Sequence, residues 1–343
     1  MSEISLRAKS GVWADEEFTT LYLGGGTPSV LSVDQTSKIL SALQNSFSCP
    51  EPWSEATIEV NPEDVTEGAL KGWLRLGFNR LSIGVQSFHN SQLEWMNRKH
   101  SAEQAKKAVE LAHKVGFTRI SIDLIYGLPQ SNHDEWKRTV EVALNLPIDH
   151  ISCYSLTIES RTVLGRRIAK GLEKEAPEAL VESNYNHICK AASDAGFEHY
   201  EVSNWSRGKK SRAVHNSSYW SGRPYLGLGA GAHGFKGMSR YSVVSNNPIY
   251  ISSVLSGSLP DKAESLTLKD RSNEMLMTSL RTAEGVDFNR LGFDHLSGNS
   301  NSWDKWLAAG SIIKVGGPNA ERYRISEKAW LIGDTIASDF FLI

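Results

Sequence analysis

Short apolar runs alternate with longer amphipathic stretches over the first two thirds of this chain. The predicted strands occupy residues 18–23, 56–60, 79–85, 119–125 and 150–156. Helical periodicity follows each strand, at residues 33–47, 66–76, 102–115, 132–144 and 177–195. Strands that alternate with helices form right-handed βαβ units around a parallel sheet. The pattern therefore predicts an α/β fold, in which ligands bind at the carboxyl ends of the strands.

The pattern changes after about residue 215, where the segment GRPYLGLGAGAHGFKG is rich in glycine and aromatic residues. Helices are predicted beyond it at residues 268–282, 303–309 and 328–337. Two short strands, 311–315 and 322–325, flank Gly316-Gly317-Pro318-Asn319, which is a hairpin signal. Helices combined with one small hairpin predict a compact, winged-helix-like C-terminal domain.

The composition is that of a soluble globular protein, because 40% of the 343 residues are apolar and 22% are charged. The formal net charge of −2 argues against a general attraction to nucleic acid. One basic run, at residues 207–212, is also typical of a solvated loop. No apolar run reaches the length of a transmembrane segment, and the first residues lack the apolar core of a signal peptide. We therefore expect a cytoplasmic protein.

The three cysteines, Cys49, Cys153 and Cys189, are far apart in the sequence. They form no C-x₂-C or C-x₃-C pair, so their spacing predicts neither a metal site nor a disulfide scaffold. Cys153 belongs to the apolar run ISCYSL, and we expect its thiol to be buried.

Polar groups and glycines cluster at the predicted strand ends. The loop GGGTP follows the first strand, and its glycines can expose backbone amides to a carboxylate or phosphate. Glu59 closes the second strand, where a carboxylate is costly unless it is paired or bound. Gln86 ends the third strand and Asp123 lies in the fourth. Each of these residues alone could be a structural cap or a paired core group, but together they predict a ligand site.

Five segments occur in the order LYLGGGTPS, TIEVNPE, RLSIGVQSF, ISIDLIYGLP and ISCYSLTIE. Together they resemble the radical S-adenosylmethionine barrel of the coproporphyrinogen-dehydrogenase family, over nearly the whole chain. The resemblance implies a partial (β/α)₆ TIM-like barrel that lacks its first strand. It also implies the contacts to S-adenosylmethionine. Gly25, Gly26 and Thr27 would contact the methionine end, and Glu59, Gln86 and Arg98 would hold the methionyl and ribose polar groups. Asp123 would bind the ribose, and the backbone of Ser155 would line the adenine. Arg98, within MNRKH, could equally be a surface residue.

A second block of motifs resembles the HemW branch of this family, whose members are heme chaperones. It consists of HNSSYW at residues 215–220 and the GAGAHG segment at residues 229–234. A neutral imidazole can ligate heme iron, and aromatic rings can pack on the macrocycle. The resemblance therefore makes His215, Asn216, Tyr219 and His233 candidate heme contacts, with hydrogen-bonded structural histidines as the alternative. The basic run at residues 207–212 would then attract the porphyrin propionates.

The family's cluster motif, C-x₃-C-x₂-C, does not occur in this sequence. In the family its thiolates hold a [4Fe–4S] cluster, so no metal ligands are expected in this chain. Residues 1–9 resemble the end of the helix that follows the cluster loop. Two explanations stay open: a sequence without its upstream part, or a naturally shortened, cluster-free heme binder. Either way, radical chemistry is not expected of the chain as given.

The resemblance implies a function in heme binding and in transfer of heme to acceptor apo-proteins, with S-adenosylmethionine as a second ligand. The rival function is that of an oxygen-independent coproporphyrinogen III dehydrogenase, an enzyme of porphyrin biosynthesis that needs the cluster. The predicted division is a radical S-adenosylmethionine core at residues 1–215, a glycine-rich joint at 216–240 and a C-terminal domain at 241–343.

Overall fold

The computed structural model of this chain describes residues 1–296, 299–316 and 322–342. The chain divides into two compact units, which we call the sheet unit and the terminal unit. The sheet unit consists of Leu21–Gln35 and Ser54–Arg212. The terminal unit consists of Met1–Thr20, Thr36–Trp53 and Ala213–Ile343. Segments from the beginning and the end of the sequence thus share one compact unit.

A seven-stranded sheet forms the centre of the sheet unit. Its strands are β1 (Thr20–Leu23), β2 (Glu55–Val60), β3 (Arg80–Gln86), β4 (Ile120–Tyr126), β5 (His150–Ser155), β6 (Glu198–Glu201) and β7 (Asn204–Ser206). Their spatial order is β1-β2-β3-β4-β5-β7-β6. Strands β2 to β5 are parallel, whereas β7 runs antiparallel to both β5 and β6. The predicted α/β fold with a mainly parallel sheet is confirmed.

The helices follow the strands as the periodicity predicts. In chain order they are α1 (Ser2–Lys9), α2 (Val33–Ser46), α3 (Glu67–Arg75), α4 (Asn90–Trp95), α5 (Ala102–Val115), α6 (His133–Leu144), α7 (Val163–Ala169), α8 (Glu178–Asp194), α9 (Val214–Trp220), α10 (Asn247–Leu255), α11 (Leu268–Leu280), α12 (Ser300–Ala308) and α13 (Gly333–Ser338). Local signals set the ends of α5. Ser101 and Gln104 form a capping box at its start, and Gly116 ends it with φ 119°.

The two faces of the seven-stranded sheet differ in chemistry. Side chains alternate between the faces of a sheet along each strand, and directly paired residues project on the same side. The residues of the polar face are Glu55, Thr57, Glu59, Arg80, Ser82, Arg119, Ser121, Asp123, His150, Ser152, Tyr154, Glu201 and Asn204. The other face carries the buried apolar residues Ile58, Val60, Leu81, Ile83, Ile122, Leu124, Ile151, Cys153 and Trp205. Cys153 is thus buried, as its apolar run predicts.

A charged layer occupies the amino-terminal end of the polar face. The buried carboxylate of Glu55 accepts a hydrogen bond from Arg119 at 2.6 Å and lies 3.8 Å from the guanidinium of Arg80. Arg80 also donates to the carbonyl of Ser211 at 2.9 Å. Buried charges are stable only when they are paired and hydrogen-bonded. This layer therefore satisfies its own charges at the end of the sheet opposite to the predicted ligand site.

His150 belongs to the same buried layer. Its Nδ1 lies 2.7 Å from the hydroxyl of Ser121, and its Nε2 lies 2.7 Å from the hydroxyl of Tyr200. Burial lowers the pKa of His150 well below its ordinary value, and the charges of Arg80 and Arg119 lower it further. The imidazole is therefore neutral at physiological pH and serves as a hydrogen-bonding spacer between strands.

The terminal unit contains two small antiparallel sheets. Strands β8 (His233–Lys236), β9 (Ser239–Val243) and β10 (Asp261–Ser265) form one sheet, in the order β10-β9-β8. Strands β11 (Val286–Asp287), β12 (Ile312–Val315) and β13 (Arg322–Ile325) form the other, in the order β11-β13-β12. The β12–β13 pairing confirms the predicted C-terminal strands. Of their predicted turn, residues 317–319 lie outside the described residues.

A buried ionic network attaches α1 to the rest of the terminal unit. The guanidinium of Arg7 donates to Asp261 at 2.6 and 2.8 Å and to Glu3 at 3.2 Å. Glu3 in turn accepts hydrogen bonds from the hydroxyl of Tyr250 at 2.8 Å and from the amide of Gly229 at 2.7 Å. Glu3 therefore holds one end of the glycine-rich segment that carries His233.

The buried charge of Arg7 leads to a stability prediction. Removing one partner of a buried ion pair leaves an uncompensated charge, so Arg7→Ala should lower the free energy of unfolding by about 3 kcal/mol. The control is Arg290→Ala, since 77% of the Arg290 side chain is exposed. That variant should change stability by less than about 0.5 kcal/mol. Urea unfolding followed by circular dichroism measures both, and equal effects of the two substitutions would contradict the account.

Candidate functional site

The glycine loop after β1 is held by the carboxylate of Glu59. The hydroxyl of Tyr22 donates to Oε1 of Glu59 at 2.6 Å, and the amide of Gly25 donates to Oε2 at 3.0 Å. Gly25 and Gly26 have φ values of 77° and 63°, which favour glycine. A Cβ on Gly24 would collide with the Tyr22 ring and lie 2.9 Å from Oε1 of Glu59. The loop therefore needs these glycines both for its turn and for its approach to Glu59.

Gln86 and Arg98 converge above Gly84 at the end of β3. A Cβ on Gly84 would lie 2.9 Å from the amide nitrogen of Gln86 and 3.1 Å from the guanidinium of Arg98. Arg98 donates to Oδ1 of Asn61 at 3.0 Å and to the carbonyl of Gly84 at 3.1 Å. Gln86 has a φ of 66° at an irregularity in the β3–β4 pairing. Arg98 is thus partly buried and bonded to two strand ends, unlike a free surface residue.

His100 is a positioning residue that the sequence analysis did not single out. Its Nδ1 lies 3.1 Å from the carboxylate of Glu63, and its Nε2 lies 3.1 Å from the carbonyl of Val85. Both partners are acceptors, and the ring is buried. His100 thereby connects the turn after β2 to the backbone beside Gln86.

Asp123 lies on the polar face between two serines. The hydroxyl of Ser82 lies 3.2 Å from both carboxylate oxygens, and Ser152 also donates a hydrogen bond to Asp123. Burial is the largest influence and raises the pKa of Asp123 to about 6, with a smaller contribution from the charge of Glu59. The two serines and Arg80 act in the opposite direction, because they stabilise the ionised form.

The remaining sheet-unit candidates also lie at carboxyl ends of strands. Ser155 is the last residue of β5 and pairs with Tyr126 at the end of β4. Thr27 follows the glycine loop and accepts a hydrogen bond at its carbonyl from the amide of Val30 at 3.2 Å. The structure thus places the glycine loop, Glu59, Gln86 and Ser155 at or beside the carboxyl ends of β1, β2, β3 and β5, with Arg98 above the end of β3. Asp123 lies in the middle of β4.

In the terminal unit, His215 and Tyr219 form a hydrogen-bonded pair on α9. The Nδ1 of His215 lies 2.9 Å from the hydroxyl of Thr20, and its Nε2 lies 2.8 Å from the hydroxyl of Tyr219. The ring of Tyr219 contacts that of Tyr225 edge-on, with centroids 4.7 Å apart, and Tyr225 lies 6.0 Å from Phe235. Burial raises the pKa of Tyr219 to about 12, so its hydroxyl remains a donor.

The other heme candidates differ in their surroundings. Asn216 is partly buried in the first turn of α9. His233 begins β8 and is exposed. Its imidazole forms no hydrogen bond with any residue that the structure describes. The alternative of a hydrogen-bonded structural histidine thus matches the contacts of His215 and not those of His233.

The basic run at residues 207–212 is partly engaged in packing. Arg207 donates to the carbonyls of Ile148 and Ala195, both at 3.1 Å, and Arg212 lies 3.5 Å from the carboxylate of Glu198. Lys209 and Lys210 are exposed. Arg207 is exposed as well, and of the four cations in this run only Arg212 is partly buried.

The three cysteines form no disulfide. Burial raises the pKa of Cys49 to about 11 and that of Cys153 well above its ordinary value. Within residues 1–296, 299–316 and 322–342, no three side chains of the His, Cys, Asp or Glu type are grouped so that they could hold a metal ion. Nor is any helix in the described part of the chain long and apolar enough to span a membrane.

Comparisons with known proteins identify the family. Residues 2–143 match the family model described as the radical SAM superfamily. The heme chaperone HemW of Lactococcus lactis is 36% identical over 79% of this chain and 71% of its own length. That of Bacillus subtilis is 32% identical over 84% of this chain and 75% of its own.

A solved structure agrees at the level of the fold. The coproporphyrinogen III oxidase HemN of Escherichia coli covers 99% of this chain, and 81% of that chain is covered in return. The TM-score is 0.81 and the identity is 22%, so this likeness shows a common fold alone. Given the identity and coverage of the curated relatives, the chain belongs to the HemW family of the radical SAM superfamily.

Proposed function

We propose that this chain binds heme and S-adenosylmethionine and passes heme to acceptor apo-proteins. The observation that carries the proposal is the arrangement of His215, whose two ring nitrogens lie against the hydroxyls of Thr20 and Tyr219. The relatives named heme chaperones support it at the level of the family. The arrangement supplies a ligand of the right chemistry beside aromatic rings.

His215 is suited to ligate heme iron through Nε2. If Nδ1–H donates to the hydroxyl of Thr20, the lone pair of the neutral ring lies on Nε2, where Tyr219 donates to it. A hydrogen bond at one ring nitrogen fixes the tautomer and orients the other nitrogen toward a metal. Tyr219 is 38% exposed, so its side chain can turn away and leave Nε2 to the iron. The rings of Tyr225 and Phe235 then remain as apolar contacts for the macrocycle.

The exposed His233 is the second candidate ligand. No internal hydrogen bond has to be broken before it binds iron, within the part of the chain that the structure describes. It begins β8, which pairs with β9, so its backbone is fixed while its ring is accessible. We assign His215 the role of main ligand, because only His215 has a partner that sets its tautomer.

The strand ends of the sheet unit fit S-adenosylmethionine. The glycine loop at residues 24–26 provides backbone amides, and Arg98 provides a guanidinium, for the methionyl carboxylate. Asp123 is an acceptor for ribose hydroxyls and lies on the face that also holds Glu59. Gly25, Gly26, Thr27, Glu59, Gln86, Arg98, Asp123 and Ser155 would hold the ligand.

A [4Fe–4S] cluster belongs to the chemistry of the superfamily, but the residues described here do not fit one. No group of three candidate ligands occurs among them, and the sequence has no C-x₃-C-x₂-C motif. We therefore derive no radical step. For the same reason the dehydrogenase function, which requires that step, is not favoured over heme binding.

Heme binding should depend on His215 more than on any other histidine. We expect His215→Ala to weaken heme binding at least about tenfold, since a lost iron ligand costs more than 1.4 kcal/mol. His233→Ala should have a smaller effect. The measurement is a titration with ferric heme, followed by the shift of the Soret band.

The control for this titration is His113→Ala, because His113 is another exposed histidine, on α5, outside both heme motifs. His113→Ala should bind heme as the unaltered chain does. If His215→Ala and His113→Ala gave the same Soret shift and affinity, His215 would not be the ligand.

The affinity of the proposed S-adenosylmethionine site for a nucleoside should fall in acid, because Asp123 becomes protonated. Only the ionised carboxylate accepts from two ribose hydroxyls, and the pKa of Asp123 is raised to about 6. Affinity for 5′-methylthioadenosine should therefore fall about tenfold from pH 7 to pH 5. Asp123→Asn should bind more weakly at pH 7 and show no such pH dependence. Calorimetric titration measures both, and a pH dependence unchanged in Asp123→Asn would exclude this role.

The same substitution should stabilise the ligand-free protein. A raised pKa in the folded state means that burial disfavours the ionised form, so stability is lost as the pH rises from about 4 to 6. Asp123→Asn should therefore raise the free energy of unfolding at pH 7 by about 1–3 kcal/mol, with the gain vanishing near pH 4. Asp134→Asn is the control, because 75% of the Asp134 side chain is exposed.

A further inference from the structure

Cys189 and His199 form a thiol–imidazole pair that the proposed function does not use. Cys189 lies on α8 and His199 on β6, and the Sγ atom is 3.8 Å from Nδ1 of the ring. His199 pairs directly with the buried Trp205 of β7, so its side chain projects on the apolar side of the sheet. The pair is therefore on the opposite face from Asp123.

The carbonyl of Val202 sets the tautomer of His199. Nε2 of the ring lies 3.3 Å from that carbonyl oxygen, which can only accept a hydrogen bond. In the neutral ring the proton is therefore on Nε2, and the lone pair is on Nδ1, toward the thiol of Cys189. A nucleophile beside a base that is itself oriented by a third group is the arrangement that activates a thiol for covalent chemistry.

The indole of Trp205 favours the protonated form of His199. The two rings are stacked, with centroids 4.1 Å apart and planes inclined by 16°. A cation over the face of an indole is attracted by the negative face of the ring. The imidazolium that forms when His199 takes the thiol proton is thus stabilised by its neighbour.

The hydroxyl of Tyr185 provides a donor for the thiolate. Tyr185 precedes Cys189 by one turn of α8, and its hydroxyl is hydrogen-bonded to Cys189 and lies 3.3 Å from the carbonyl of Val202. Burial is the main cause that raises the pKa of Tyr185, and negative charge on Cys189 raises it further. The phenol therefore keeps its proton and can donate it to an ionised sulfur.

Cys153, Tyr126 and Glu201 are further ionisable groups of this cluster. Burial is the main cause that raises the pKa values of Cys153 and Tyr126, and negative charge on Cys189 contributes to both increases. The charge of Glu201 also raises the pKa of Tyr185, and its carboxylate accepts from the amide of Ser203 at 3.1 Å. Cys153 and Tyr126 are thereby held in their neutral forms, which leaves Cys189 as the thiol that ionises.

We propose that Cys189 is a reactive thiol that exchanges with low-molecular-weight disulfides, with His199 as its general base. The thiol proton moves to Nδ1 of His199, and the thiolate attacks one sulfur of the disulfide. The sulfur–sulfur bond of the reagent breaks, and the leaving thiolate takes the proton from His199. One thiol and one disulfide thus give a mixed disulfide at Cys189 and a new thiol, with no other oxidant. The exchange needs neither heme nor S-adenosylmethionine.

Cys49 is the internal reference for this reaction. Like Cys189 it is partly exposed, whereas Cys153 is buried. Burial raises the pKa of Cys49 to about 11. Since the thiolate is the nucleophile, Cys49 shows how a partly exposed thiol of this chain reacts when its surroundings do not favour ionisation.

The test is the reaction of the full chain with 5,5′-dithiobis(2-nitrobenzoate), an aromatic disulfide. Release of thionitrobenzoate gives the rates, and mass spectrometry of peptides assigns them to the cysteines. At pH 7 Cys189 should react at least about tenfold faster than Cys49. His199→Gln should slow the reaction of Cys189 at least about tenfold, because the amide cannot take the proton. The matched control is His187→Gln, also on α8, where the ring contacts that of His133 and the rate should not change.

A pH profile distinguishes a general base from a merely structural histidine. In the unaltered chain the rate at Cys189 should level off below about pH 8, whereas in His199→Gln it should keep rising to about pH 9. The profile of the unaltered chain needs no variant, so a failure of His199→Gln to fold leaves it decisive. The inference is overturned if Cys189 reacts no faster than Cys49, if its rate in the unaltered chain rises up to about pH 9, or if a folded His199→Gln reacts as the unaltered chain does.

Discussion

The polar face of the seven-stranded sheet is stabilised by hydrogen bonds that run from one strand to the next. A parallel sheet covered by helices leaves little access to water, so each polar side chain needs a partner on a neighbouring strand. Ser82 and Ser152 provide that partner for Asp123, and Tyr22 and Gly25 provide it for Glu59. The positions of the candidate ligand-binding groups therefore follow from the register of the strands.

The need for a partner on a neighbouring strand divides the polar face into layers with different roles. Near the amino ends of the strands, Glu55 is paired with Arg119 and Arg80, and His150 is bonded on both sides. That layer pairs opposite charges and supports the fold, although Nη2 of Arg80 and Nε of Arg119 have no hydrogen-bond partner among the described residues. Farther along the strands, burial raises the pKa of Asp123 even though Ser82 and Ser152 hydrogen-bond to its carboxylate. A carboxylate with a raised pKa is a candidate for a functional role.

Much of the fold and part of the site could be predicted from the sequence. Apolar runs of strand length, separated by segments with helical periodicity, predict β1 to β5 and the helices between them. The polar residues that interrupt these runs identify Glu59, Gln86 and Asp123 as candidate site residues. The sequence also indicates the polar face, because polar and apolar residues alternate in the segments TIE, SID and HISCY. The prediction considered only the strand ends, and it therefore missed the serines, Ser82 and Ser152, that hydrogen-bond to Asp123.

Other features depend on contacts that no local pattern encodes. Thr20 and His215 are 195 positions apart, so their hydrogen bond appears only in the folded chain. Strand β8 lies in the glycine-rich segment, and β9 and β10 are too short and too polar for a periodic signal. His100 illustrates the same limit, because its role comes from Glu63 and the carbonyl of Val85.

The most direct test of the central claim, that the carboxyl ends of β1 to β5 form one nucleoside site, is amide hydrogen exchange with and without 5′-methylthioadenosine. The account predicts slower exchange at Gly25 in the glycine loop, at Gln86 and at Ser155, and no change on α6, which lies on the apolar side. Protection confined to other segments, or none at a saturating concentration of the nucleoside, would contradict it.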